Sequence, residues 1–212
     1  LGKRLMAEKT KIKKNINKEA GFSLVEMIVT MLVFSLVVGA AAGLFGSAIR
    51  GQSRTLSTQQ LLDQISFALE YMSRALRMAK KQLNPPPDCG LSYGQNYLIT
   101  LSRTLEGVPY DGRGIKFINY NDECQEFFLD QTNGSPTKGQ LLESKNYASP
   151  NPLTSANFYI ENFNINLIGE LQNENLQPRV SLFLEIRRTG PGTQPKIKIQ
   201  TTISQRRLDI SE

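Results

Sequence analysis

The sequence contains no histidine among its 212 residues. This absence excludes Ser-His-Asp triads, Cys-His dyads and the zinc-ligand sets that depend on imidazole. Cysteine is nearly absent too: Cys89 and Cys124 form no CxxC pair, so neither a zinc site nor a dithiol redox site is expected. Residues 111–114, Asp-Gly-Arg-Gly, lack the GxGxxG and Walker spacings of phosphate-binding loops. Catalysis by carboxylates or lysine is still possible, but no such residues cluster in the sequence. The chain is therefore predicted not to be an enzyme and to need no cofactor.

Charged residues and proline are both missing from Met27 to Ile49. A helix needs roughly 20 apolar residues to cross a hydrocarbon core of about 30 Å, and this run is long enough. Glu26 lies directly before it, where a carboxylate costs about 2.5–3.5 kcal/mol unless it is shallow or paired. The run predicts a membrane-spanning helix. Glu26 is then either solvated at the headgroup level or paired with a cation.

The net charge of +6 is concentrated in residues 1–21, and the remainder of the chain is close to neutral. A short basic segment beside an apolar helix predicts that the N-terminus stays in the cytoplasm and the rest lies outside it. No small-x-small site follows the apolar run closely, so an ordinary secretory signal peptide is not indicated. DNA binding by the basic segment is the weaker alternative.

Residues 21–26 read Gly-Phe-Ser-Leu-Val-Glu before a long apolar helix, which resembles the processing site of type IV pilins and type II secretion pseudopilins. The resemblance implies that prepilin peptidase cleaves between Gly21 and Phe22, that residues 1–21 are a leader, and that Phe22 becomes N-methylated. It also implies that Glu26 brings the subunit into register during assembly. Pairing of the Phe22 amine with Glu26 of a neighbouring subunit would relieve two charges that are costly in an apolar bundle. The implied partners are other pilin or pseudopilin subunits, prepilin peptidase, an inner-membrane assembly platform and membrane lipid.

Helical spacing continues beyond the apolar run. Residues 22–50 form the predicted membrane and assembly helix, and residues 51–84 form its amphipathic outer half, until Asn84-Pro85-Pro86-Pro87 ends it near Leu83. Glycines at 39, 43 and 46 either permit close helix approach or reflect the ordinary frequency of glycine in membrane helices. The apolar stripe of the outer half consists of Leu61, Ile65, Leu69, Met72, Leu76, Ala79 and Leu83.

Residues 85–212 are predicted to form a β-rich globular head. Antiparallel strands that are apolar on one face need a cover, and the helix stripe provides one. The predicted fold is therefore α+β and pilin-like: a long N-terminal membrane-spanning helix whose outer half packs on an antiparallel sheet. The predicted strands are 97–101, 114–120, 124–130, 158–167, 180–187 and 196–203.

Cys89 and Cys124 both lie in the part predicted to be outside the cytoplasm, where an oxidising compartment favours a disulfide. The bond would close a loop of about 35 residues and contribute roughly 3–4 kcal/mol. Two separate thiols are the alternative. Residues 121–123 and 130–134 carry oxygen ligands that suit calcium, but turns favour the same residues without a metal, and no metal is predicted.

The motif and the order of elements resemble large minor pilins and the J-type minor pseudopilin, so the predicted function is a minor type IV pilin of the bacterial inner membrane and pilus. A minor pseudopilin of a type II secretion system is the first alternative. The second is a single-pass anchored binding module whose N-terminal motif is coincidental. DNA uptake through a basic surface is weaker, because such residues usually form a solvated strand face. That surface would comprise Arg187, Arg188, Lys196, Lys198, Arg206 and Arg207.

Overall fold

The computed structural model describes residues 21–83, 89–169, 176–190 and 194–206. Apart from Gly21, the predicted leader lies outside these ranges, as does the proline segment 85–87. The chain divides into two compact units, Leu1–Arg50 and Gly51–Glu212. Along the described residues, one helix is followed by eight strands. This order confirms the predicted α+β fold.

Helix α1 spans Leu24–Arg77. Its first backbone hydrogen bond is donated by the amide of Met27 to the carbonyl of Ser23, at 3.1 Å. Hydroxyl groups in its apolar part bond within the helix, as Thr30 does by donating to the carbonyl of Met27 at 2.9 Å. Such bonds satisfy the hydroxyls without water, which makes them compatible with an apolar helix.

The end of α1 differs from the prediction, since the helix stops at Arg77 and not near Leu83. Beyond Arg77 the amide of Lys80 donates to the carbonyl of Ile118 at 2.9 Å. Lys80 thereby forms a β-bridge with Ile118, the last residue of the strand that spans Val108–Ile118. Pairing with this strand replaces the last predicted turns of the helix. Leu83, predicted on the apolar stripe, is 54% exposed as a result.

The apolar stripe of α1 within the second unit is buried, with one shift of position. Ala68 is fully buried, whereas the predicted Leu69 is only partly buried beside the core. A small residue at this point of the helix surface permits close approach of the sheet. The fully buried residues of the stripe are Leu61, Ile65, Ala68, Met72 and Leu76.

Five antiparallel strands form the first sheet in the order β1-β2-β3-β4-β5. Glu106 and Gly107, with φ of 49° and 81°, form the tight turn from β1 to β2. The predicted hairpin of the second and third strands is present, but the last two strands were not predicted from the sequence. The strands are β1 Tyr97–Leu105, β2 Val108–Ile118, β3 Cys124–Leu129, β4 Leu141–Lys145 and β5 Asn151–Pro152.

Three antiparallel strands form the second sheet in the order β6-β7-β8. They are β6 Phe158–Ile168, β7 Arg179–Arg188 and β8 Lys196–Ser204. Along β7 buried and partly exposed residues alternate, so one face of the sheet meets the core and the other meets solvent. This sheet confirms the three strands predicted at the end of the chain.

One hydrophobic core joins the stripe of α1 to both sheets. The rings of Phe117 and Phe127, from neighbouring strands, lie 5.6 Å apart, and Tyr71 of α1 meets Phe127 edge-on at 5.9 Å. The buried hydroxyl of Tyr97 donates to the carbonyl of Leu76 at 2.7 Å, which ties β1 to the helix. The helix stripe thus covers the strands as predicted.

Candidate processing and assembly site

The predicted cleavage point lies in a short non-helical segment directly before α1. Gly21, Phe22 and Ser23 are all exposed, and Phe22 is 76% exposed. An exposed peptide bond outside secondary structure is accessible to a peptidase. A Cβ atom built on Gly21 would meet no other atom within 4 Å. The described fold therefore does not require glycine at this position, and any such requirement has to come from another molecule.

Glu26 lies in the first turn of α1. The helix dipole favours a carboxylate there, because the unpaired amides of the first turn carry partial positive charge. Ser23 and Glu26 also have the S-x-x-E spacing of a capping box, a signal for the start of the helix that the prediction from sequence overlooked. Among the described residues, none forms a hydrogen bond or an ion pair with the exposed Glu26 carboxylate. The group is available to another molecule.

Within the described ranges, α1 is the one helix long and apolar enough to cross a membrane, and none of its apolar window is buried. Large side chains such as Leu32, Phe34 and Phe45 are each more than half exposed. A continuous apolar surface of this extent indicates contact with lipid or with other helices. Gly39 and Gly43 are helical, and a Cβ atom placed on either would meet no other atom within 4 Å.

Cys89 and Cys124 form a disulfide, with their Cα atoms 5.2 Å apart. Cys89 is fully buried, and Cys124 is the first residue of β3. The bond therefore ties the segment before β1 to the hairpin of β2 and β3. This is the pairing that the sequence predicts.

The carboxylates of the two turn segments considered for calcium form hydrogen bonds within the protein. Asp130 is buried, and its carboxylate accepts hydrogen bonds from the hydroxyls of Ser135 and Thr137 at 2.5 and 2.7 Å. Burial acts to raise the pKa of Asp130, but its hydrogen bonds outweigh burial and lower that pKa. Asp122 pairs with Lys80 at 2.6 Å. The described residues contain no group of three or more potential metal ligands from His, Cys, Asp and Glu.

Three of the six basic residues considered for a DNA-binding surface, Arg187, Lys196 and Lys198, are paired with acids along the second sheet. Arg187 lies 2.8 Å from Glu161, and Lys196 lies 2.5 Å from Glu161 and 2.7 Å from Glu185. Hydrogen bonds from Lys196 are the main cause of the lowered pKa of both glutamates. Arg188 instead donates to the hydroxyl of Ser57 at 2.6 Å. Arg207 lies outside the described residues.

Comparison with protein families finds the prokaryotic N-terminal methylation motif over residues 16–42. The match covers the end of the predicted leader, the predicted cleavage motif and the first part of α1. Together with the exposed apolar helix, it indicates a membrane-anchored protein with a single membrane span.

Within this class, the chain carries the methylation motif of type IV pilins and pseudopilins, as the sequence predicts. The motif implies processing by prepilin peptidase and assembly with other pilins. No curated protein and no solved structure matches the chain.

Proposed function

We propose that the protein is a minor type IV pilin, a structural subunit that is the substrate of an enzyme and not an enzyme itself. The methylation motif at residues 16–42 carries the proposal. The position of Glu26 in the first turn of an exposed apolar helix supports it. The β-rich unit supports it further, since that unit has a hydrophobic core of its own. The chain would be inserted in the inner membrane with this unit outside the cytoplasm.

Processing prepares the N-terminus for assembly. The basic leader holds the N-terminus in the cytoplasm. Prepilin peptidase then cleaves between Gly21 and Phe22 and releases residues 1–21. The new amine of Phe22 is methylated and keeps its positive charge.

Assembly depends on the pairing of two charges in an apolar bundle. Glu26 lies four residues beyond Phe22, at the start of the apolar run. An unpaired carboxylate costs about 2.5–3.5 kcal/mol at the centre of a membrane helix and less near its end. A neighbouring subunit in register presents its Phe22 amine to this carboxylate, whereas a subunit out of register leaves both charges unpaired. Packing of residues 22–49 against equivalent helices offsets the loss of lipid contacts.

A minor pseudopilin of a type II secretion system is the alternative, since the same motif and the same pairing serve a periplasmic pseudopilus. The order of one long helix followed by strands ending in β8 fits both kinds of subunit. Genes encoding pilus or secretion components beside this one would separate the two. In a pilus, the β-rich head would set the subunit's position at the tip or its role in initiation.

The Glu26→Ala variant tests the assembly role. We expect it to insert in the membrane and to be cleaved normally, because neither step needs the carboxylate, but to be depleted from filaments that are sheared from cells and pelleted. Asp63→Ala is the matched control, since Asp63 is an exposed acid on the same helix. Wild-type recovery of Glu26→Ala in the filament pellet would contradict the proposed pairing.

A further inference from the structure

The solvent face of the second sheet carries a neutral cluster on its three strands. Asn164 lies opposite Phe183, and Phe183 lies opposite Gln200. In the adjacent row, Asn166 lies opposite Ser181, which lies opposite Thr202. Phe183 and Ser181 on the central strand are half-buried, and the flanking residues are exposed. We call this cluster the amide face: Asn164, Asn166, Ser181, Phe183, Gln200 and Thr202.

The amide face is distinct from the charged part of the same sheet. The charged part consists of Glu161, Glu185 and Lys196. Nζ of Lys196 lies 2.5 Å from a carboxylate oxygen of Glu161 and 2.7 Å from one of Glu185, so these charges neutralise one another. Lys198 adds a longer contact of 3.5 Å to Glu185. These charges are occupied within the protein. The amide face, in contrast, has no charged member.

Several polar groups of the amide face are oriented and still have bonding capacity. Arg113 of β2 donates to Oδ1 of Asn164 at 3.1 Å, which directs the amide NH2 of Asn164 away from the guanidinium. The hydroxyls of Ser181 and Thr202 bond each other at 3.0 Å, so one of the two hydroxyl protons remains available. The side-chain amides of Asn166 and Gln200 bond no other described residue. Each of these two amides can therefore both donate and accept.

A shallow cavity of about 240 Å³ opens on this face, and its lining includes Asn164, Asn166, Ser181, Phe183 and Gln200. Drug-sized ligands occupy cavities of about 300–1,000 Å³, so an occupant of this one is a single small ring or one unit of a chain. No described lining residue carries a charge. The nearest cation given by these contacts is Arg113, which is outside the lining and is already bonded to Oδ1 of Asn164. Phosphates and carboxylates would therefore find no charged partner among the lining residues.

We propose that the amide face binds the sugar ring of a neutral carbohydrate. A pyranose has an apolar face that can lie on the ring of Phe183, and hydroxyls at its edge that both donate and accept hydrogen bonds. The ring of Phe183 can contact the apolar face of the sugar, and the amides and hydroxyls around it can donate hydrogen bonds to the sugar hydroxyls and accept them. A protein partner is less well matched, because the centre of a stable protein interface is a large apolar patch, and this face offers one half-buried aromatic ring. The inference is independent of the assembly role of Glu26.

Ligand-observed saturation-transfer NMR on the full chain tests this proposal. The chain is placed in lipid nanodiscs, because maltoside and glucoside detergents carry sugar rings themselves. The probes are glucose, galactose and N-acetylglucosamine, with glucuronate and glucose 6-phosphate as anionic comparators. We expect weak saturation transfer to at least one neutral sugar and less to the anionic ones. A preference for N-acetylglucosamine over the hexoses would distinguish an amino-sugar polymer from a hexose polymer as the source.

Variants localise the binding. Phe183→Leu keeps apolar volume but removes the aromatic face, and Gln200→Ala removes one amide; each is expected to weaken binding about tenfold. Tyr120→Leu changes an exposed aromatic residue elsewhere, and Lys198→Ala changes the charged part of β8; both should bind as the wild type does. Circular dichroism of all four variants measures whether each remains folded. The proposal is overturned if none of the neutral sugars shows saturation transfer, if the anionic sugars bind better, or if folded Phe183→Leu and Gln200→Ala bind as the wild type does.

Discussion

Arg103 and Glu126 form a buried ion pair on the face of the first sheet that points away from the main core. Their atoms Nε and Oε1 are 2.7 Å apart, and both side chains are only 3% exposed. Arg103 also donates to the carbonyl of Gly112 at 2.8 Å, and its guanidinium lies 4.0 Å from the centre of the Phe128 ring. Gly114 makes room for it, because a Cβ there would lie 2.8 Å from Nη2 of Arg103. Gly114 of the Asp-Gly-Arg-Gly segment thus has a structural role.

Removing one partner of this pair is expected to be costly. Glu126→Gln leaves the buried Arg103 without its counter-charge, and we expect a loss of about 3–5 kcal/mol in the free energy of unfolding. Urea unfolding of the full chain, followed by circular dichroism, measures the loss. Glu70→Gln is the control, since it breaks the exposed pair with Arg74 and should cost only about 0.3–0.5 kcal/mol. Equal destabilisation by the two variants would argue against a stabilising role for the buried pair.

At the scale of elements, the two sides of α1 in the second unit contribute very differently to stability. Leu76 is fully buried in the core, whereas Leu62 on the same helix is 42% exposed. Leu76→Ala leaves a cavity and should cost about 2–5 kcal/mol. Leu62→Ala makes the same chemical change without a cavity and should stay within about 0.5 kcal/mol of the wild type. The same urea titration compares them, and similar midpoints would contradict the assigned helix faces.

Some elements were predictable because their physical signal is local. The last two strands have regular alternation, β6 has partial alternation, and the helix stripe has regular spacing, so all of them could be located from the sequence. The end of α1 could not, because its last turns are replaced by pairing between Lys80 and Ile118, which are distant in the chain. The turn after β4 has positive φ at Asn146 and Tyr147, and tyrosine is not a usual residue for such a turn. That hairpin therefore had no recognisable sequence signal.

The candidate sites were predictable to different degrees for the same reason. The processing motif is contiguous in sequence, so Gly21, Phe22 and Glu26 could be singled out directly. The amide face could not be predicted, since it depends on the register of three strands. Its sequence signal is asparagine at alternate positions of β6, including Asn164 and Asn166, opposite an outward-facing Phe183. Alternation along one strand indicates its buried face, but it does not indicate which residues of the neighbouring strands lie beside it on the outer face.

At the scale of the whole molecule, the two units need different surroundings. The second unit buries apolar residues in a main core and in a smaller cluster of Leu105, Phe128 and Leu142, whereas the apolar window of α1 has no buried residue. Exposed apolar surface of this extent is unfavourable in water, at about 25 cal/mol per Å². The first unit therefore requires lipid or other helices. In the proposed filament, the basic segment before Phe22 would enter the bundle of helices unless it were removed, so we expect cleavage to be a condition of assembly.

Intact-mass spectrometry of the protein extracted from membranes tests this condition. We expect a chain that begins at Phe22 and carries one additional methyl group. Gly21→Val should keep residues 1–21 and an unmethylated amine, because the fold leaves space for a side chain at Gly21 and only the peptidase excludes it. Gly46→Val, which also meets no atom within 4 Å, is the control and should be processed normally. A native chain that retains its leader would favour the anchored binding module, and normal processing of Gly21→Val would place the cleavage elsewhere.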